Sequence, residues 1–358
     1  MQNQNKRIIW VDVSRALAIS LVILTHATDE TFIKYLYGNA TPTFSTSLLM
    51  YTFFTFGRLG VPIFLFITGF LLLKRDYIEK NNTNIFFRKN LFPLFSATIF
   101  WIIIYNIFNL IILKKSFSTK NLILELMFIK RNDMPHMWYM YMVLGLYLAI
   151  PFVATIVNNF PKKIVLAVGG VTLFFSMILP SFVQIVTLFG VSINLSPILD
   201  LSFLGGCYGI YCVTGYYISD GFLAKCKPII ILLCGIASGL IIIFVQVISL
   251  QSGNRFNVWY DFIFLYFCAT SLILLLSKVT ISNRLFISVI TYISRRSLAL
   301  YFVHMPIRFI LNKWFPFSLL NDKFAVVLFF ISIFCLSLLF IYIFEKVSFI
   351  RKWIFLIK

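Results

Sequence analysis

The sequence predicts an all-α protein: a polytopic membrane helical bundle of about ten transmembrane helices, with both termini cytoplasmic. Three observations carry that expectation. The 358-residue chain is 60% hydrophobic and only 12% charged, against roughly 25% charged in ordinary soluble chains. Its mean hydropathy is +0.94. Its apolar residues gather in windows of about 20 bounded by charges, the length a helix needs to cross a hydrocarbon core of about 30 Å.

The windows run, in order, over 10–28, 48–73, 91–113, 137–157, 164–185, 198–218, 228–250, 258–277, 297–311 and 325–344. The first follows a polar start with Lys6 and Arg7. It holds Arg15 and no small-residue cleavage site follows, so it reads as a retained signal-anchor helix. The second, "GRLGVPIFLFITGFLL" at its centre, mixes Gly57, Gly60 and Gly69 with Arg58 and Pro62. Glycines let helices approach closely, and Pro with Gly permits a broken helix whose freed backbone groups line a cavity. Either role accounts for the composition. The third window is preceded by "FFRKNLFPLF", with Arg88 and Lys89 at its mouth. The ninth is short and begins within the apolar 285–293 stretch if it is to span. No soluble domain, low-complexity linker or internal repeat is evident. Residues 1–358 read as one integral membrane domain with a helical core over about 10–347.

Lys and Arg concentrate on the cytoplasmic side of membrane proteins. With the N-terminus inside, the inner segments hold 19 of the 31 Lys and Arg, the outer segments hold nine, and Arg15, Arg58 and Arg308 lie within spans. One segment breaks the bias. Parity places 114–136 outside, yet it carries Lys114, Lys115, Lys120, Lys130 and Arg131. It also contains "NLILELMFI", too short to span and suited to an interfacial helix. Two readings stand for this loop: attraction of an anionic polysaccharide, or binding to lipid headgroups.

The net charge of +19 reflects cations at helix ends and attraction to anionic lipid. No basic block is interleaved with a soluble fold, so nucleic acid is not an expected partner. The six cysteines form no CxxC pair and sit mostly in apolar stretches, where thiols act as small hydrophobes.

Ionisable side chains in membrane helices are costly, and so mark function by default. Arg15 and His26 are eleven residues apart, which is about three turns and about 16 Å along one helical stripe. One helix thus presents a cation and an imidazole on the same face. Asp12, three residues before Arg15, can pair with it. The bland alternative is an Arg reaching to headgroups and a His satisfied by a neighbouring helix. The three histidines, His26, His136 and His304, all lie beside or inside apolar windows. No HxxxH, HExxH or Cys/His cluster is present, so no metal site is expected.

Six stretches together resemble the membrane acyltransferase 3 family of bacterial O-acyltransferases. They are "VDVSRALAISLVILTH", "RLGVPIFLFITGFLL", "FFRKNLFPLF", "HMWYMYMVLGLYLAIP", "ISRRSLALYFVHMP" and "YIFEKV". The last is similar to a terminal "EKP", with Val347 in place of Pro. They follow the family's order from residue 10 to about 347. The resemblance implies a multi-pass protein of a bacterial plasma (inner) membrane. It implies transfer of an acyl group, usually acetyl from acetyl-CoA, to a hydroxyl of a cell-surface polysaccharide or its lipid-linked precursor. The expected partners are then acetyl-CoA, that glycan acceptor and membrane lipid, with no permanently bound cofactor. The chain would be a stand-alone member without the extracytoplasmic hydrolase-like domain some members carry.

Ester formation from a thioester needs a base for the hydroxyl proton and a donor for the oxyanion. His26 is the expected base or, alternatively, a covalent acyl carrier. Arg15 would orient the donor, and Arg58, Arg88 and Lys89 would meet its phosphates. His136, Trp138, Tyr141 and His304 would hold the acceptor, although an interfacial aromatic belt equally explains Trp138 and Tyr141. A transporter or exporter is the competing class. Against it stand the lack of a repeat and the scarcity of intramembrane carboxylates, with only Asp200 and Asp261 near window ends. A sensor or a partner of a synthase is the third class.

Overall fold

A computed structural model describes residues 7–357 except 39, 189, 192, 194, 196–198, 200, 202–204, 222–223, 254 and 316–321. Lys6 and Asp200 therefore lie outside the described residues. The chain is helical throughout, and no strand occurs among the described residues. Its helices are α1 (Ile9–Thr31), α2 (Ile33–Leu36), α3 (Phe44–Arg58), α4 (Gly60–Leu72), α5 (Lys80–Phe86), α6 (Phe92–Ile111), α7 (Thr119–Leu126) and α8 (Trp138–Asn159). They continue with α9 (Lys162–Leu173), α10 (Leu179–Leu188), α11 (Gly206–Ser219), α12 (Pro228–Gln251), α13 (Ile263–Ser277), α14 (Arg284–Arg295), α15 (Ser297–Trp314) and α16 (Asp322–Phe344).

Among the described residues, seven helical stretches are long and apolar enough to cross a membrane, or eight if α14 and α15 count as one broken span. Six of the seven correspond to the first five windows and the seventh; the last matches the tenth. The sixth and eighth windows hold shorter helices, α11 and α13, of 14 and 15 residues. The interfacial helix expected in 114–136 is α7, eight residues capped by the Ser118 side chain. The second window is broken between α3 and α4 at Leu59. Pro62 explains the position of the break: it has no N–H to offer the Arg58 carbonyl one turn earlier.

The chain divides into two compact units, Met1–Lys74 with Val157–Arg295, and Arg75–Ile156 with Arg296–Lys358. The first is organised by glycines at helix crossings. A Cβ on Gly69 of α4 would come within 1.8 Å of the Cys212 carbonyl oxygen on α11, and one on Gly215 of α11 within 2.1 Å of the Phe66 oxygen on α4. The backbones of α4 and α11 touch at both points. Gly57 and Gly60 do the same against α1, where a Cβ would lie 2.3 Å from Thr25 Oγ1 and 2.6 Å from the Ala18 oxygen, respectively. The packing role of these glycines is thus realised, and so is the broken helix.

The second unit is built on stacked aromatic rings. Trp101 of α6 lies parallel to Phe302 of α15, with ring centroids 5.1 Å apart and planes 6° apart. Its indole donates to the Ile354 carbonyl at 3.1 Å. Arg296, which precedes α15, forms a two-pronged pair with Glu345 after α16, at 2.8 and 2.6 Å. The "ISRRS" and "FEKV" stretches of the sequence are therefore tied by one fork-to-carboxylate contact.

Candidate active site

The close approach of Gly57 to Thr25 has a chemical consequence. His26 and Arg58 are the next residues on α1 and α3, and Asp29 acts on both of them. Arg58 is half-buried among rings, its guanidinium carbon 4.6 Å from the centroid of Phe54, 4.7 Å from Trp259 and 5.8 Å from Tyr260. A guanidinium over aromatic faces is stabilised by the ring quadrupoles, most strongly where water is excluded. Tyr260 also hydrogen-bonds it, and Asp29 acts on it electrostatically.

Asp29 is the residue that the sequence reading passed over. It lies one turn beyond His26, with Oδ2 3.6 Å from Nδ1; the two side chains are 15% and 17% exposed. That distance is long for a hydrogen bond but close for an ion pair once the imidazole gains a proton. The i, i+3 spacing was legible in the sequence. Trp259 and Tyr260 were not, because they come from a loop some 200 residues away.

Near the other end of α1, Asp12 gathers more partners than the Arg15 expected from the spacing. Arg7 forms the ion pair with Asp12, and Ser294 of α14 donates to it at 2.6 Å. Arg15 acts on this carboxylate electrostatically. Arg7 precedes the helix, and its long side chain reaches Asp12 on the first turn.

The second unit holds the other two histidines. His136 and His304 are buried, with ring centroids 5.2 Å apart. The Tyr105 hydroxyl donates to the Phe302 carbonyl at 2.8 Å and lies 3.0 Å from His136 Nε2. Its single proton is spent on the carbonyl, so His136 Nε2 is the donor to the phenol oxygen. The lone pair of the neutral ring then sits on Nδ1. His304 Nδ1 lies 3.1 Å from the Leu300 carbonyl, which can only accept, so its lone pair sits on Nε2. Tyr301 donates to the backbone oxygen of His136. Each ring is held in one tautomer, with its lone-pair nitrogen buried. Tyr105 and Tyr301 were not singled out in the sequence, since nothing local marks them.

Tyr141 and Trp138 lie on the first turns of α8. The Tyr141 hydroxyl accepts from the Asn132 backbone at 3.1 Å, so it holds the preceding loop. Arg88 and Lys89 fall in a π-helical turn, Phe87–Leu91, ahead of α6, a distortion often found at functional sites. Arg88 lines a groove that also contains Lys130, Arg131 and Tyr141. Window parity sets Arg88 inside and Lys130 outside, about 30 Å apart across the hydrocarbon. The structure puts them along one groove because the turn after α7 folds back beside α6 and α8. Among the described residues no group of three or more His, Cys, Asp or Glu could hold a metal ion.

The fold and its polar groups define a multi-pass helical membrane protein with an imidazole–carboxylate pair near an arginine set among aromatic rings. The model of the acyltransferase 3 family, described as an acyltransferase domain, matches residues 8–346. The chain belongs to this membrane acyltransferase family. Neither the comparison with curated proteins nor that with solved structures finds a match.

Proposed function

We propose that this acyltransferase is an O-acetyltransferase of a bacterial inner membrane. It takes acetyl from acetyl-CoA and places it on a hydroxyl of a cell-surface polysaccharide or of its lipid-linked precursor. The observation that carries the reading is the His26–Asp29 pair near Arg58. His26 takes the proton of the attacking hydroxyl, or carries the acyl group itself. Asp29 stabilises the imidazolium that forms, as a carboxylate does in a Ser-His-Asp triad. Arg58 faces the charge that develops on the thioester carbonyl or on the donor's phosphates, and Arg15, Arg88 and Lys89 take further parts in donor binding. His136, Trp138, Tyr141 and His304 hold the acceptor.

In this reading the shorter helices α11 and α13 and the broken α14–α15 pair complete ten spans, with both termini cytoplasmic. The test uses purified protein in nanodiscs with acetyl-CoA and a polysaccharide acceptor, following free thiol release and acetyl on the glycan. The parent protein should do both, and His26→Ala neither. Thiol release unchanged in His26→Ala would remove His26 from the mechanism. Acceptor flux into sealed vesicles without any thioester consumption would replace the enzyme with an exporter.

A further inference from the structure

The groove beside α6 and α8 lends Arg88 and Tyr141 to the proposed chemistry, but that chemistry requires neither its long apolar wall nor Lys130 and Arg131. Its volume is about 1020 Å³, at the upper end of what small-molecule pockets reach. Its walls are Phe87, Leu91, Phe92, Phe95, Leu144 and Leu148, with Phe128 and Ile129 above. From Phe87 to Phe95 it runs eight residues, about 12 Å along the helix. One leaflet of the hydrocarbon core is about 15 Å deep. The groove is therefore as long as most of one leaflet and is lined for a chain.

Its polar lining is cationic: Arg88, Lys130 and Arg131 are part of it, and none of its lining residues is acidic. The nearby carboxylates are engaged elsewhere: Glu125 accepts from Asn106 at 2.8 Å and from Asn132 at 2.6 Å, and Asp133 pairs with Lys115 at 3.1 Å. Lys130 is half-buried and Arg88 and Arg131 are exposed, as long cationic side chains are when their stems line a wall and their heads reach its rim.

The turn that carries Lys130 and Arg131 is built rather than loose. Asn132 is held by Glu125 and Tyr141, and its Oδ1 accepts from the Met134 N–H at 3.0 Å. Phe128 takes a left-handed backbone, φ +59°, costly for a bulky residue and found mostly where surrounding contacts impose it. Its ring rests on Phe95 at 5.4 Å and on Tyr141 at 5.8 Å. The left-handed turn sets an aromatic ring and the two cations that follow it in the groove's lining.

We propose that this groove binds the lipid phosphate from which the glycan acceptor hangs, the chain along the Phe-lined wall and the phosphate on Lys130 and Arg131. The inference rests on the acyltransferase reading and names the form in which the acceptor arrives. Its position selects this occupant over bulk anionic phospholipid. Tyr141 lines the groove and lies on the first turns of α8 with Trp138, so a sugar attached to the phosphate meets aromatic rings. A bulk phospholipid makes no use of those groups.

The test is native mass spectrometry of the full chain in zwitterionic nanodiscs, with a long-chain prenyl phosphate as probe. One bound copy is expected, with affinity at least tenfold lower in Lys130→Glu/Arg131→Glu. Should that variant fail to fold, Lys130→Gln/Arg131→Gln and the uncharged prenol on the parent protein serve instead, both binding at least tenfold more weakly. Equal binding of prenol overturns phosphate recognition. Displacement of the probe by an equal mole fraction of phosphatidylglycerol overturns the choice of occupant and makes the groove a general anionic-lipid site. No bound copy overturns the proposal. Because this readout does not involve the thioester, probe binding without thioester turnover would fail the acyltransferase reading alone, and turnover without probe binding would fail the groove alone.

Discussion

Replacing Asp29 by Asn removes a charge while keeping size and shape, so it isolates the electrostatic part of the His26–Asp29 pair. At 3.6 Å, a full imidazolium and carboxylate attract by about 4.6 kcal/mol at an effective dielectric of about 20, and by about 1.2 kcal/mol at that of water. The two side chains are 17% and 15% exposed, which puts the pair between these bounds. At 1.36 kcal/mol per decade of rate, the range is about 7-fold to about 2,000-fold. Proton transfer is only partly complete at the transition state, so the expected loss in kcat is about 100-fold. KM for the thioester should change little, because the charge on His26 is absent before reaction. The assay is steady-state thiol release by purified protein, with Asp29→Glu as the variant that restores the charge at a shifted position and part of the rate. A fall of less than threefold in Asp29→Asn would refute the argument that Asp29 supports a base on His26. An equal fall in both variants would point to shape instead of charge.

Three other outcomes follow from the fold. Gly69→Ala puts a methyl 1.8 Å from a backbone oxygen that no rotamer change can move, so α4 and α11 must separate. The cost is that of overpacking, about 1–3 kcal/mol, read as a lower melting temperature in detergent; an unchanged one would contradict the backbone contact. Glu345→Gln weakens the two-pronged contact with Arg296, whose side chains are 12% and 14% exposed, and should cost about 1.5–3 kcal/mol. Equal stability of the variant would show the pair to be replaceable. A reporter fused to the C-terminus should read cytoplasmic, and an external signal would overturn the proposed ten-span arrangement.

What the sequence made legible is what a single helix can encode. Window length and bounding charges located the long spans. The "GRLGVP" stretch announced both the break before Pro62 and the close packing at Gly57 and Gly60, since each depends on the residue type itself. Arg15 and His26 stood out because ionisable groups are costly in lipid. Asp29 could have been found by the same spacing argument applied one turn onward. The rest depends on tertiary placement. Trp259 and Tyr260 reach Arg58 from a distant loop, Tyr105 sets the tautomer of His136 from another helix, and Glu345 finds Arg296 across 49 positions. The fold-back that brings Lys130 and Arg131 into the groove with Arg88 runs against window parity. It rests on Asn106, Glu125, Asn132 and Tyr141 acting together, and no local pattern reports it.

The central claim is that His26 acts in transfer of an acyl group to a surface glycan. Its most direct test is mass spectrometry of that glycan from cells carrying the intact gene, a deletion, or His26→Ala with membrane insertion verified. The account predicts that an increment of about one acetyl group per repeat is present with the intact gene and missing from both the deletion and the variant. An increment that persists in His26→Ala, or an unmodified glycan that merely reaches the surface in smaller amount in the deletion, would contradict it.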